Sequence, residues 1–203
     1  MLNDGSGLRI ARCVLGVMLV LACVLGGCGF SRSGGPARLQ SLQNNGALQS
    51  PLPTRVYTAR DADSVDIYMT DLPSSVWNAG ADVSDMSGVL VHVHMFIRPR
   101  AGRTPIADTA STATIRVLVL AQGEIGVYGG GGFFVNSGNP GKERFRGGVR
   151  DASLRLVSAT GGFVDRLGAC AFTGEVSGTL DTETANAIDR AMRALIAETT
   201  SLE

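Results

Sequence analysis

The chain predicts a mainly β domain with one helix at its C-terminal end, and three observations carry that prediction. From Arg55 to Ser177 the apolar residues fall in short runs that alternate with polar ones, the period of a half-buried strand. Segments rich in Gly, Asn, Asp, Ser and Pro separate these runs, as turns require. After Leu180 the apolar spacing changes to that of a helix. Together they predict an antiparallel β-sandwich or curled sheet of about seven to eight strands, with a single C-terminal α-helix packed on it.

Taken in order, residues 54–203 hold this domain. Arg55 to Ala59 and Ser64 to Met69 flank Asp61-Ala62-Asp63 and predict a first hairpin. The segment from Asp71 to Gly88 reads as a long connection with a helical turn after Pro73, its Trp77 plugging the edge of the core. Gly88 to Arg98 gives the clearest strand. Val89, Val91, Val93, Met95 and Ile97 lie on one face, with Leu90, His92, His94 and Phe96 on the other. Both faces are at least half apolar, so this strand should be central. Thr112 to Ala121 repeats the pattern and should pair with it through the loop Pro99 to Ser111. Short strands are expected at Glu124–Tyr128 and Gly132–Val135, joined by a glycine connection, then at Asp151–Ser158 and Ala169–Ser177. The helix is expected over residues 181–199. Ala185, Ile188, Met192, Leu195 and Ile196 form its apolar stripe, Asp181 or Thr182 caps it, and Asp189 and Arg193 pair across one turn.

Ahead of the domain, Arg9 and Arg12 precede an apolar run from Cys13 to Gly27, the outline of a secretory signal. The run is shorter than the about 18 apolar residues of a membrane-spanning helix. It ends in Leu25-Gly26-Gly27-Cys28, which resembles the lipobox of bacterial lipoproteins. That resemblance covers only residues 1–28. It implies removal of residues 1–27 by cleavage between Gly27 and Cys28, with a diacylglycerol thioether on the Cys28 sulfur and an acyl chain such as palmitate on its new amino group. Cys23 is a second candidate, but Leu21 is bulkier than Gly26 at the matching position. Gly29, in place of Asp after the cysteine, resembles the pattern of lipoproteins forwarded to the outer membrane where a bacterium has two. The protein is therefore expected on the cell envelope, facing the periplasm. Residues 28–53, rich in Gly, Ser, Gln, Asn and Pro, are expected to form a lipidated N-terminus and flexible tether with a root-mean-square span of roughly 25–30 Å.

Composition narrows the function. The 18 basic and 18 acidic side chains balance, so no net field points to nucleic acid. With Cys13 and Cys23 in the signal and Cys28 lipidated, Cys170 has no disulfide partner within the mature chain. His92 and His94 are the only histidines, and their imidazoles share one strand face about 7 Å apart. That is a weak metal-site signal, because a third ligand must be a carboxylate from elsewhere. Satisfied histidines under the helix or a loop are the plainer expectation. The run Gly129 to Gly132 leads into Phe133-Phe134-Val135 rather than a helix, so it lacks the amides of a phosphate loop. No paired acid and base or nucleophile elbow stands out, and no cofactor is implied. Arg98, Arg100 and Arg103 form a basic loop tip suited to an anionic surface such as lipid headgroups or wall polymer. The expected role is thus a noncatalytic one, binding or scaffolding an envelope partner. The alternative is an envelope enzyme or metal-binding protein using His92 and His94.

Overall fold

The computed structural model describes residues 36–77, 81–98 and 111–202. Gly27, Cys28, Arg100 and Arg103 lie outside the described residues. Among the described residues, ten strands and one long helix follow in chain order. Arg38–Ser41 is β1, Ala47–Gln49 β2, Thr54–Ala59 β3, Val65–Thr70 β4, Gly88–Met95 β5, Ala113–Ala121 β6 and Glu124–Asn136 β7. They are followed by β8 (Arg144–Ala159), β9 (Cys170–Leu180), the helix α1 (Thr182–Ala197) and β10 (Thr200–Ser201). No helix among the described residues is long and apolar enough to cross a membrane.

The curled sheet, rather than the sandwich, is the form adopted. Strands β3 to β9 run as an up-and-down meander in which every consecutive pair is antiparallel. The ladder then closes through a short parallel contact of β3 with β9, Val56 against Thr179 and Tyr57 against Leu180. This parallel seam follows from the strand number. In a meander of alternating direction an odd count leaves the first and last strands running the same way. Seven strands form this ring, and closure removes the edges that an open sheet would expose.

Alternation sorts the side chains into two layers. Inside the ring, Tyr57, Ile67, Met69, Val91, Val93, Ile115, Val117, Phe134, Phe145, Phe172 and Val176 form one buried cluster. Outside it, Val56, Tyr68, Leu90, Leu118, Ile125 and Val127 meet Ala185, Ile188, Met192 and Leu195 of α1. Trp77, at the end of a short helical turn Ser74–Trp77, packs on this outer layer as expected. Asp181 starts α1 by accepting the amide of Thr184 at 3.0 Å, which satisfies one of the first-turn donors.

Two expectations need correction. The segment 28–53 is not a tether throughout, because β1 and β2 belong to the sheet. β1 pairs with β9, Leu39 opposite Phe172, and Ala37, Leu39 and Leu52 are core residues. A few well-placed apolar residues suffice here, since β9 supplies the template and each partner need bury only one face. The glycine run is likewise no loop: β7 passes straight through Gly129 to Gly132. A Cβ on Gly130 would lie 1.9 Å from the carbonyl oxygen of Ser153. The glycines therefore let β8 press against β7 where the ladder slips register.

The helix docking gives a direct test. Met192 is 2% exposed, so Met192→Asp places an unpaired carboxylate between helix and sheet. Urea denaturation should show a loss of about 3 kcal/mol or more, and an unchanged midpoint would show that α1 does not dock through this stripe.

Candidate functional site

The polar cluster of most chemical interest stands on the outer wall of the ring, beside α1. Strand register builds it. Across β4, β5 and β6, Tyr68 faces His92, which faces Arg116. One step along, Asp66 faces His94, which faces Thr114. Arg60 joins from the β3–β4 turn, and Asp189, Met192, Arg193 and Ile196 join from the helix. All of these except Tyr68 line an open hollow of about 270 Å³.

Asp66 organises it. Its side chain is 2% exposed, yet it lies within reach of three cationic or potentially cationic groups. His92 Nε2 and His94 Nδ1 donate to the same oxygen, Oδ1, at 2.9 and 2.8 Å, while Arg60 Nε donates to Oδ2 at 2.6 Å. Burial by itself pushes this carboxyl up. The His92 hydrogen bond and charge, then the Arg60 bond and the charge of His94, outweigh burial and hold it at about 2. The His92 ring also stacks on Tyr68, with centroids 4.6 Å apart and planes 3° from parallel. Tyr68 in turn donates its hydroxyl to Asp189 at 3.0 Å; burial, then the charge of Asp66, raises its ionisation far above the ordinary phenol range. Asp189 completes the chain by pairing with Arg193 at 2.8 Å, the predicted one-turn pair.

The partner of both histidines is thus a carboxylate on the neighbouring strand rather than a covering loop. Each imidazole turns one nitrogen to Asp66. Among the described residues no group of three or more His, Cys, Asp or Glu side chains is arranged to hold a metal ion. Cys170 is buried inside the ring, and burial, then the nearby charge of Asp165, pushes its thiol up to about 11. It is a packing residue rather than a nucleophile. Arg98, at the start of the basic loop, hydrogen-bonds the side chain of Asn139. A larger hollow of about 640 Å³ at one end of the ring is lined by apolar Leu48, Phe163 and Val164 together with polar Gln122, Glu124 and Arg166.

Sequence reasoning found His92 and His94 but missed Asp66, Arg60, Arg116 and the helix pair as their neighbours. The available signal was Asp66 itself, a carboxylate within Val65-Asp66-Ile67-Tyr68-Met69, where a strand buried on both faces should reject an unpaired charge. Comparison with protein-family models, curated proteins and solved structures returns no match.

Asp66 sets an acid limit to stability. Its folded value lies below its ordinary 3.8, so its contribution is present above about pH 4 and lost as pH falls through about 2. Asp66→Asn should cost about 2 kcal/mol at neutral pH. Its melting temperature should also fall less between pH 4 and 2 than that of wild type. Parallel acid limbs in thermal scans would show that Asp66 is not held as an ionised acceptor.

Proposed function

We propose that this chain is a membrane-anchored lipoprotein of the bacterial cell envelope, in which a β-ring domain binds an envelope partner without catalysing a reaction. The location rests on Leu25-Gly26-Gly27-Cys28 at the end of the apolar run. The observation that carries the binding role is the mutual engagement of Asp66, His92, His94 and Arg60 in the hollow. Both oxygens of Asp66 are occupied, Oδ1 by the two imidazoles and Oδ2 by Arg60. Such a carboxylate holds its neighbours in place but has no free oxygen to serve as a base. A fixed array of guanidinium and imidazole groups on an outer wall suits recognition of an anionic envelope molecule or an acidic protein surface.

A second reading is an envelope enzyme or metal-binding protein that uses His92 and His94, which lie on one face of β5. Metal content of the purified chain separates the two: a stoichiometric transition metal lost in His94→Ala favours the second.

Anchoring is tested by Cys28→Ser. The wild-type chain should label with palmitate and sediment with membranes, whereas the variant should lose the label and remain unprocessed or appear in the soluble fraction. A processed variant that still sediments with membranes would sink the lipoprotein reading.

A further inference from the structure

We propose that the hollow between α1 and strands β4 to β6 binds a phosphoryl group, as free phosphate or as the headgroup of a phosphate monoester, with Arg116 as its principal contact. This rests on the reading of the domain as a binding module and adds the class of ligand.

The charges that face the hollow mark Arg116 out. From the β3–β4 turn comes Arg60, from β4 Asp66 and Tyr68, from β5 His92 and His94, from β6 Arg116, and from α1 Asp189 and Arg193. Arg60 pairs with Asp66 at 2.6 Å and Arg193 with Asp189 at 2.8 Å. Arg116 is exposed and, among the described residues, forms no hydrogen bond or ion pair. The lining therefore carries one uncompensated guanidinium before either imidazole is protonated. On its far side the next residue of the row is Gly129, which has no side chain, and beyond it stands a second arginine, Arg155. Positive charge thus continues past Arg116 along the wall, while the side chain of Val157 packs over Gly129.

Because the carboxylate of Asp66 can only accept, each neutral ring must place its single proton on the nitrogen that faces Asp66. Its other nitrogen is then a lone pair, which repels an anion. Protonation converts that nitrogen to a donor and adds a positive charge.

Size and geometry select the group. At about 270 Å³ the hollow is smaller than the roughly 300–1,000 Å³ that encloses a drug-sized ligand, so it suits a headgroup whose remainder stays in solvent. Guanidinium donors reach it from the β3–β4 turn (Arg60), from β6 (Arg116) and from α1 (Arg193). That arrangement matches the tetrahedral oxygens of a phosphoryl group better than a flat carboxylate, and a guanidinium fork binds phosphate oxygens in pairs.

The test is calorimetric titration of the purified full-length chain in detergent with inorganic phosphate, glycerol 3-phosphate, sulfate and acetate. Phosphate or glycerol 3-phosphate should bind saturably and more tightly than acetate. Arg116→Ala should weaken binding at least tenfold without lowering the melting temperature of the ligand-free protein. Arg146→Ala, on an exposed part of β8 outside the hollow, should have no effect. Sulfate, tetrahedral like phosphate, should also bind more tightly than acetate. Tighter binding of glycerol 3-phosphate than of phosphate would identify a headgroup as the ligand, and the reverse order free phosphate. Absence of saturable binding by either, or binding that survives Arg116→Ala, would overturn the proposal. All four ligands are soluble, so the result is independent of the fate of Cys28.

Discussion

Closure of the ring at β9 is the constraint on which the rest of the structure depends. One edge of β9 is taken by β8. The other is divided, with Cys170 to Thr173 paired to β1 and Thr179 and Leu180 paired to β3. The parallel seam supplies few hydrogen bonds, so the antiparallel pairing of β1 must cover what β3 leaves open. Close approach is built into β9 itself: a Cβ on Gly178 would fall 2.7 Å from the backbone carbon of Val56. The same seam aims the helix. The amide of Asp181 donates to the carbonyl of Tyr57 at 3.1 Å, so the chain leaves β9 already fastened to β3 and α1 starts beside the wall that it covers.

Burial of Asp66 shows how this wall tolerates a charge. An isolated carboxylate in such a position would be costly, and the usual outcome is neutralisation. Here three donors from three places, Arg60 in a turn and two imidazoles on β5, converge on two oxygens. The ring geometry makes this possible at little entropic cost, because register fixes β4 against β5 for other reasons, namely the packing of Ile67 against Val93 and their neighbours inside the ring. Polar order on the outside is inherited from apolar order within.

Much of this architecture was legible in the sequence, and the exceptions have physical causes. Alternation identified the faces of β5 and β6, and short β-branched or aromatic runs around a turn identified β3 and β4 as a hairpin. The stripe from Ala185 to Ile196 identified the helix and the side that it buries. β1 and β2 were illegible because their stability resides in β9; a four-residue strand with Leu39 as its one inward leucine has no period of its own. The glycines of β7 mimicked a loop because their absence of side chains serves a neighbouring strand rather than a turn. For the site, alternation placed His92 and His94 side by side. It could not place Asp66 against them, since that contact depends on the register of β4 on β5 across the long connection from Asp71 to Ser87. Arg116 was hidden for the same reason.

The size of the ring explains why recognition should be sought on its wall. Small barrels have interiors that side chains can fill, whereas wider ones enclose ligands. In this ring Tyr57, Phe134, Phe145 and Phe172 are all buried within one continuous apolar cluster, and the centre is given to packing. The outer face divides differently. Where α1 lies over it the wall residues are Leu90 and Leu118, and one step further along β5 and β6 they become His92 and Arg116. A helix can dry only the strip beneath it, so the wall must turn polar at the helix margin. Charged groups at such a margin are partly shielded on one side and open on the other. A fold that fills its own centre thereby gains a site at the boundary of its second layer, where an anion can meet fixed cations without having to enter the core.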